Sequence, residues 1–148
     1  MRDLPQPTPL LHEALTRSVI GAFYDVYNTL GYGFLEHVYV LALERELRAR
    51  GHAVGREVGI IVMYKGEELA SQRLDLIVDE KLVVEVKSTY DLPAAAARQV
   101  FNYLRATSLQ VGLLLHFGPR PKFVRLISSI PARKAAGSGP ASTPLGRG

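Results

Sequence analysis

Cysteine is absent from the 148-residue chain. Disulfides and thiolate-held metals are thereby excluded, which fits a reducing interior. Long apolar runs are missing as well. The longest, Val111 to Leu115, is far too short to cross a bilayer. The first nine residues lack the basic start and apolar stretch of a signal peptide, so the expectation is a cytoplasmic protein without a membrane partner. Positive charge is scarcer than the total implies. The net charge is +4, but residues 128–148 hold three of those charges, on Arg133, Lys134 and Arg147, and no acid. The preceding 127 residues are close to neutral, so any phosphate-binding surface must be a local patch. The four histidines, His12, His37, His52 and His116, lack metal-ligand spacing and read as surface or partly buried side chains. Gly31 and Gly33 follow a helical segment rather than a strand and lack a third glycine, which argues against a dinucleotide loop. No internal repeat is present.

An apolar fraction of 47% in a chain of this length supports one compact domain with its own core. Residues 1–9 are proline-rich and expected to be an irregular lead-in. Residues 10–127 form the domain, and residues 128–148 a disordered, low-complexity basic tail. Leu15, Val19, Phe23, Val26 and Leu30 recur at helical spacing and predict a helix over 10–30, ended by Gly31 to Gly33. A second helix is predicted over 35–50, with Gly51 as its stop and Arg48 and Arg50 suited to its last turn. The period then changes. Residues 58–64 and 68–78 read as strands about a turn at Lys65 to Glu67, and 82–87 as a third strand. A helix over 93–106 follows, with proline in its first turn, and then strands over 110–116 and 122–127. This order implies an α+β or α/β domain whose mixed central sheet is flanked by helices. One parallel, right-handed crossover should run through the third helix.

Two of these strands carry charge where core residues are expected. Asp75 lies in the second, just before the turn, and Glu85 and Lys87 lie in the third. Alternation puts Glu85 and Lys87 on one face and Val84 and Val86 on the other. A hairpin would bring Asp75 close to Glu85. Two carboxylates and an amine on one sheet face can hold a divalent metal and handle the proton of an attacking water. The alternative is a two-faced ribbon with Arg73, Asp75, Asp79, Glu85 and Lys87 all in water. Glu36, one residue into the second helix, is favoured there by the helix dipole whether or not it has a further role. Gln99, Asn102 and Tyr103 share a face of the third helix; amides and phenols suit hydrogen bonding to a substrate or a carboxylate.

Gly33-x-x-Glu36-x-x-Tyr39, followed in order by Asp75, Glu85-x-Lys87 and Gln99-x-x-x-Tyr103, resembles the GxxExxY family of the PD-(D/E)XK nuclease superfamily over about residues 11–127. The Gln99 to Tyr103 element is similar to the Q-x-x-x-Y signature of RecB-like nucleases. The proline that names the superfamily is replaced by Leu74. The resemblance implies a restriction-endonuclease-like core. It makes Asp75 and Glu85 metal-binding carboxylates, with the Val86 backbone carbonyl and Glu36 as candidate additional ligands. Lys87 would position or deprotonate the attacking water, and Gln99 and Tyr103 would support the site or contact the backbone of the nucleic acid. Hard oxygen ligands suit Mg2+ or Mn2+. The expected function is a metal-dependent nuclease acting on nucleic acid, DNA in the first instance. The alternative is a non-catalytic module of the same fold that binds a nucleic acid or protein partner. The oligomeric state stays open, a homodimer included.

Overall fold

A computed structural model describes residues 10–128; the lead-in over 1–9 and all but the first residue of the tail over 128–148 lie outside the described residues. The helical spacing is realised in α1 (Glu13–Leu30) and α2 (Glu36–Ala49), and five strands with one further helix follow: β1 (Val54–Tyr64), β2 (Glu67–Val78), β3 (Leu82–Lys87), α3 (Ala96–Thr107), β4 (Val111–Phe117) and β5 (Pro121–Ile127). The strands lie side by side in chain order. Every neighbouring pair is antiparallel except β3 and β4, which are parallel and bridged by α3. The result is a single α+β domain on a mixed five-stranded sheet, the restriction-endonuclease-like class expected.

The boundaries differ from the sequence expectation where local geometry intervenes. His12 has a left-handed backbone, φ 53°, through which a helix cannot run, so α1 starts at Glu13 and not at residue 10. Ala95 caps α3, and Pro93 accepts the Ala96 N–H in a separate turn, which moves the helix start three residues on. β1 begins four residues early because Val54, Gly55 and Arg56 pair with Val78, Ile77 and Leu76. That segment has no apolar alternation of its own; its partner strand imposes the extended form.

Alternation in the central strands sorts two cores. Val84, Val86, Leu113, Leu115 and Phe117 face α1 and α2, where they meet Val19, Phe23, Tyr39, Leu43 and Leu47. Val83 and Leu114 face the other way, against Val100, Tyr103 and Leu104 of α3. Gly112 lets α3 come this close, since a Cβ there would lie 2.8 Å from Val100 Cγ1. Ser18, His52 and Asp79 tie the first layer to the sheet: Ser18 Oγ lies 2.8 Å from His52 Nε2, His52 Nδ1 lies 2.8 Å from Asp79 Oδ2, and Asp79 Oδ1 accepts the Ala53 N–H at 2.8 Å. Three chain segments meet at that network. Ser18 sits mid-helix, where backbone donors are committed to the helix ladder, so the trio has no oxyanion pocket and serves as a fastening.

Candidate active site

The regular pairing of β2 with β3 covers Leu76–Val84, Ile77–Val83 and Val78–Leu82, and stops there. Beyond it, side chains take over the backbone's partners. The Val86 N–H donates to Asp75 Oδ2 at 2.8 Å, and the Asp75 N–H reaches Glu85 Oε1 at 3.4 Å. Each carboxylate thus braces the opposite strand, and the two acids stand side by side. The hairpin does bring Asp75 to Glu85.

Glu85 is 5% exposed, and Asp75 and Lys87 are half-buried. The solvated-ribbon alternative therefore fails for Glu85. α3 covers that face of β3, which the strand's own pattern could not reveal. Burial first, and then the charge of Asp75, push the Glu85 carboxyl up to about 8. Burial also raises Asp75, helped by the charges of Glu36 and Glu57 and opposed by the Val86 N–H and Lys87. Two neighbouring acids that resist ionisation are poised to take either a proton or a cation. The donor set is oxygen only, so it fits a hard divalent ion such as Mg2+ or Mn2+. Among the described residues no three Asp, Glu or His side chains are gathered into a ready cage, so two carboxylates form the core of any such site. The Val86 side chain is in the core, and its amide serves Asp75.

Glu36 opens α2, and its Oε2 accepts the Ser88 N–H at 3.4 Å, just past Lys87. Its charge raises both Asp75 and Glu85, although it is not part of their hydrogen-bonded pair. The glycine and tyrosine of the Gly33-x-x-Glu36-x-x-Tyr39 pattern hold this arrangement. Gly33 takes φ 111°, open to glycine. The Tyr39 hydroxyl donates to the Gly31 carbonyl at 2.7 Å and accepts the Phe34 N–H at 3.2 Å. Its ring stacks on Phe117 with centroids 4.0 Å apart. Ser88 Oγ then binds the Phe34 carbonyl, so the loop before Glu36 is fixed against the end of β3.

On the opposite side, Gln99 Nε2 donates to the Tyr103 hydroxyl at 3.0 Å. The Tyr103 phenol is held above its usual value by burial and then by the charge of Glu85, with Asp75 adding to it. Gln99, Asn102 and Tyr103 join Lys87, Gln72 and Arg98 around an open pocket of about 480 Å³. Sequence reading missed Gln72, Arg98 and Ser88. Ser88 follows the E-x-K element directly and could have been flagged; Gln72 and Arg98 carry no signal before the fold is known. His116, expected at the surface or partly buried, is instead fully buried at 1% exposure, because it sits opposite Lys87 in the β3–β4 register on a central strand. Its Nε2 lies 2.9 Å from the Thr89 carbonyl, which pins the chain leaving β3.

A sequence profile described as the PD-(D/E)XK nuclease superfamily matches residues 13–126. No curated protein matches the chain. Among solved structures, that of SSO0001 is similar in fold, with a TM-score of 0.54 at 18% identity. The match covers 93% of this chain and 66% of that one, so this chain spans slightly less than two thirds of that protein's length. Among the described residues no helix is long and apolar enough to cross a membrane.

Proposed function

The chain belongs to the PD-(D/E)XK nuclease superfamily, and from that premise we propose that it is a nuclease of the GxxExxY type, with a RecB-like Q-x-x-x-Y helix, which hydrolyses phosphodiesters in DNA. The observation that supports this most is the Asp75–Glu85 pair: two braced carboxylates, Glu85 buried and Asp75 half-buried, with Lys87 two residues along the same strand and lining one pocket with Gln99 and Tyr103. Such a pair is costly to keep unless something binds it.

Asp75 and Glu85 would hold Mg2+ or Mn2+, with the Val86 carbonyl and Glu36 as further oxygen donors around it. A bound divalent ion supplies charge compensation at the phosphate and acidifies water. Lys87, on the same face and one residue pair beyond Glu85, orients the attacking water and balances charge on the scissile phosphate. Glu36 keeps the start of α2 attached to Ser88 and so fixes the far wall of the site. Tyr103, steadied by Gln99, would support the site or contact the sugar-phosphate backbone.

The test is cleavage of single- and double-stranded DNA with Mg2+ or Mn2+ by the wild type, Asp75→Ala and Lys87→Ala. Activity is expected in the wild type and lost by at least two orders of magnitude in both variants. Cleavage that survives in both would refute the reading. One observation favours a second reading, a non-catalytic binding module of the same fold: the described residues gather no three-ligand cage. Titration calorimetry with Mg2+ separates the two, because only the first requires binding that depends on Asp75 and Glu85.

A further inference from the structure

Resting on the nuclease reading above, we propose that the substrate is a single-stranded polynucleotide, gripped through its bases by Phe34, Tyr90 and Tyr32 at the rim of the site. These rings lie on the two loops that Ser88 joins. Phe34 is 47% exposed, Tyr32 54% and Tyr90 70%. Phe34 is two residues before Glu36, and its carbonyl is bound by Ser88, the residue after Lys87. Tyr90 is two residues beyond Ser88.

The Phe34 ring is anchored in the core, and the backbone of both loops is tied down. Phe34 packs edge-on against Tyr39 with centroids 6.1 Å apart, and Tyr39 stacks on the buried Phe117. Phe34 is therefore the solvent end of a column of three rings rooted in the core. The loop bearing Tyr90 is fastened on both sides of that residue: the Thr89 carbonyl lies against His116 Nε2, and Thr89 Oγ1 donates to the Asp91 carbonyl at 2.6 Å. Tyr32 lies between Gly31 and Gly33, both at positive φ, in the loop that Tyr39 ties down. A core-rooted Phe34 ring, flanked by the exposed rings of Tyr32 and Tyr90 on loops whose backbone is held, suits stacking with unpaired bases, which tolerates any sequence. A duplex keeps its base faces inside its own stack, out of reach of such rings.

Electrostatics point the same way. Recognition of a duplex leans on many phosphate contacts and a broad basic surface. Residues 1–127 are nearly neutral overall, and the pocket offers only Lys87 and Arg98 as cations. Stacking has to supply what charge does not.

The experiment measures binding of fluorescein-labelled 12-nucleotide dT and rU strands, and of a 12-base-pair duplex, to the full chain in EDTA, where hydrolysis does not compete. The dT strand is expected to bind at least tenfold more tightly than the duplex. Phe34→Ala and Tyr90→Ala should each weaken strand binding about tenfold, the effect of one lost base stack, with little change for the duplex. Phe34→Trp should restore it, which guards against a Phe34→Ala chain that merely misfolds. Tight binding of rU as well as dT keeps the proposal and widens the substrate to RNA. Equal affinity for strand and duplex overturns it, as does unchanged strand binding in both alanine variants. The nuclease reading fails on a different result, the absence of divalent-dependent cleavage by the wild type on every substrate.

Discussion

Glu85→Gln should stabilise the metal-free protein, and by an amount that grows with pH. The carboxyl titrates at about 8 in the folded chain against an ordinary 4.5. Between those values the folded state keeps a proton that the unfolded chain has released. The sign follows from that difference. Stability from this group is full below pH 4.5, declines as pH rises, and is fully lost above pH 8. At about 1.4 kcal/mol per pKa unit, the whole decline is roughly 5 kcal/mol. Glutamine copies the protonated shape but cannot ionise, so the variant escapes the decline. Urea unfolding in EDTA, followed at steps from pH 5 to 9, measures it. The gap between variant and wild type should be small at pH 5 and reach several kcal/mol by pH 8.5. In the wild type, Mg2+ should restore stability increasingly as pH rises, because a cation replaces the proton; the variant should show little of this gain. A gap that stays flat across the range would refute the claim that Glu85 is held protonated by burial and by Asp75.

Other consequences can be measured independently. Tyr39→Phe keeps the stack on Phe117 but leaves the Gly31 carbonyl and Phe34 N–H without their hydroxyl, so unfolding free energy should drop by about 1 kcal/mol, with a larger fall in cleavage rate than in strand binding. Gly112→Ala would set a methyl 2.8 Å from Val100 Cγ1 and should cost about 1–3 kcal/mol, recovered in part by a second change, Val100→Ala; equal melting points for Gly112→Ala and the wild type would contradict the close packing of α3. Asp79→Ala removes the acceptor of both His52 Nδ1 and the Ala53 N–H. It should lower stability by about 1–3 kcal/mol while cleavage per folded molecule stays unchanged, since the network is a fastening remote from the acids.

The site was legible to the extent that short-range geometry fixes it. Asp79 and Glu80 both take positive φ, so the turn before β3 is tight, and counting back from it sets Asp75 against Glu85. The parallel crossover was equally readable, since an apolar strand on either side of an amphipathic helix leaves few other arrangements. Depth was not legible. Whether the Glu85 face is wet or covered depends on α3, which arrives across the sheet after an intervening loop and approaches through Gly112. The work of Tyr39 was hidden for the same reason: its ring meets Phe117, 78 positions along the chain. β1 was read four residues short because its first residues are extended only by virtue of their partner.

The parallel seam between β3 and β4 has a consequence for how the protein comes into being. β1, β2 and β3 fold back on one another through tight turns, and β4 and β5 form a second local ribbon. Among the strand pairings, the β3–β4 junction joins segments the furthest apart in the chain, the slower kind of closure. Glu36, Asp75, Glu85 and Lys87 all precede the crossover in the chain, whereas Gln99 and Tyr103 on α3 and His116 on β4 come after β3. During synthesis the acids emerge first, and the Glu85 face stays uncovered until α3 docks across it.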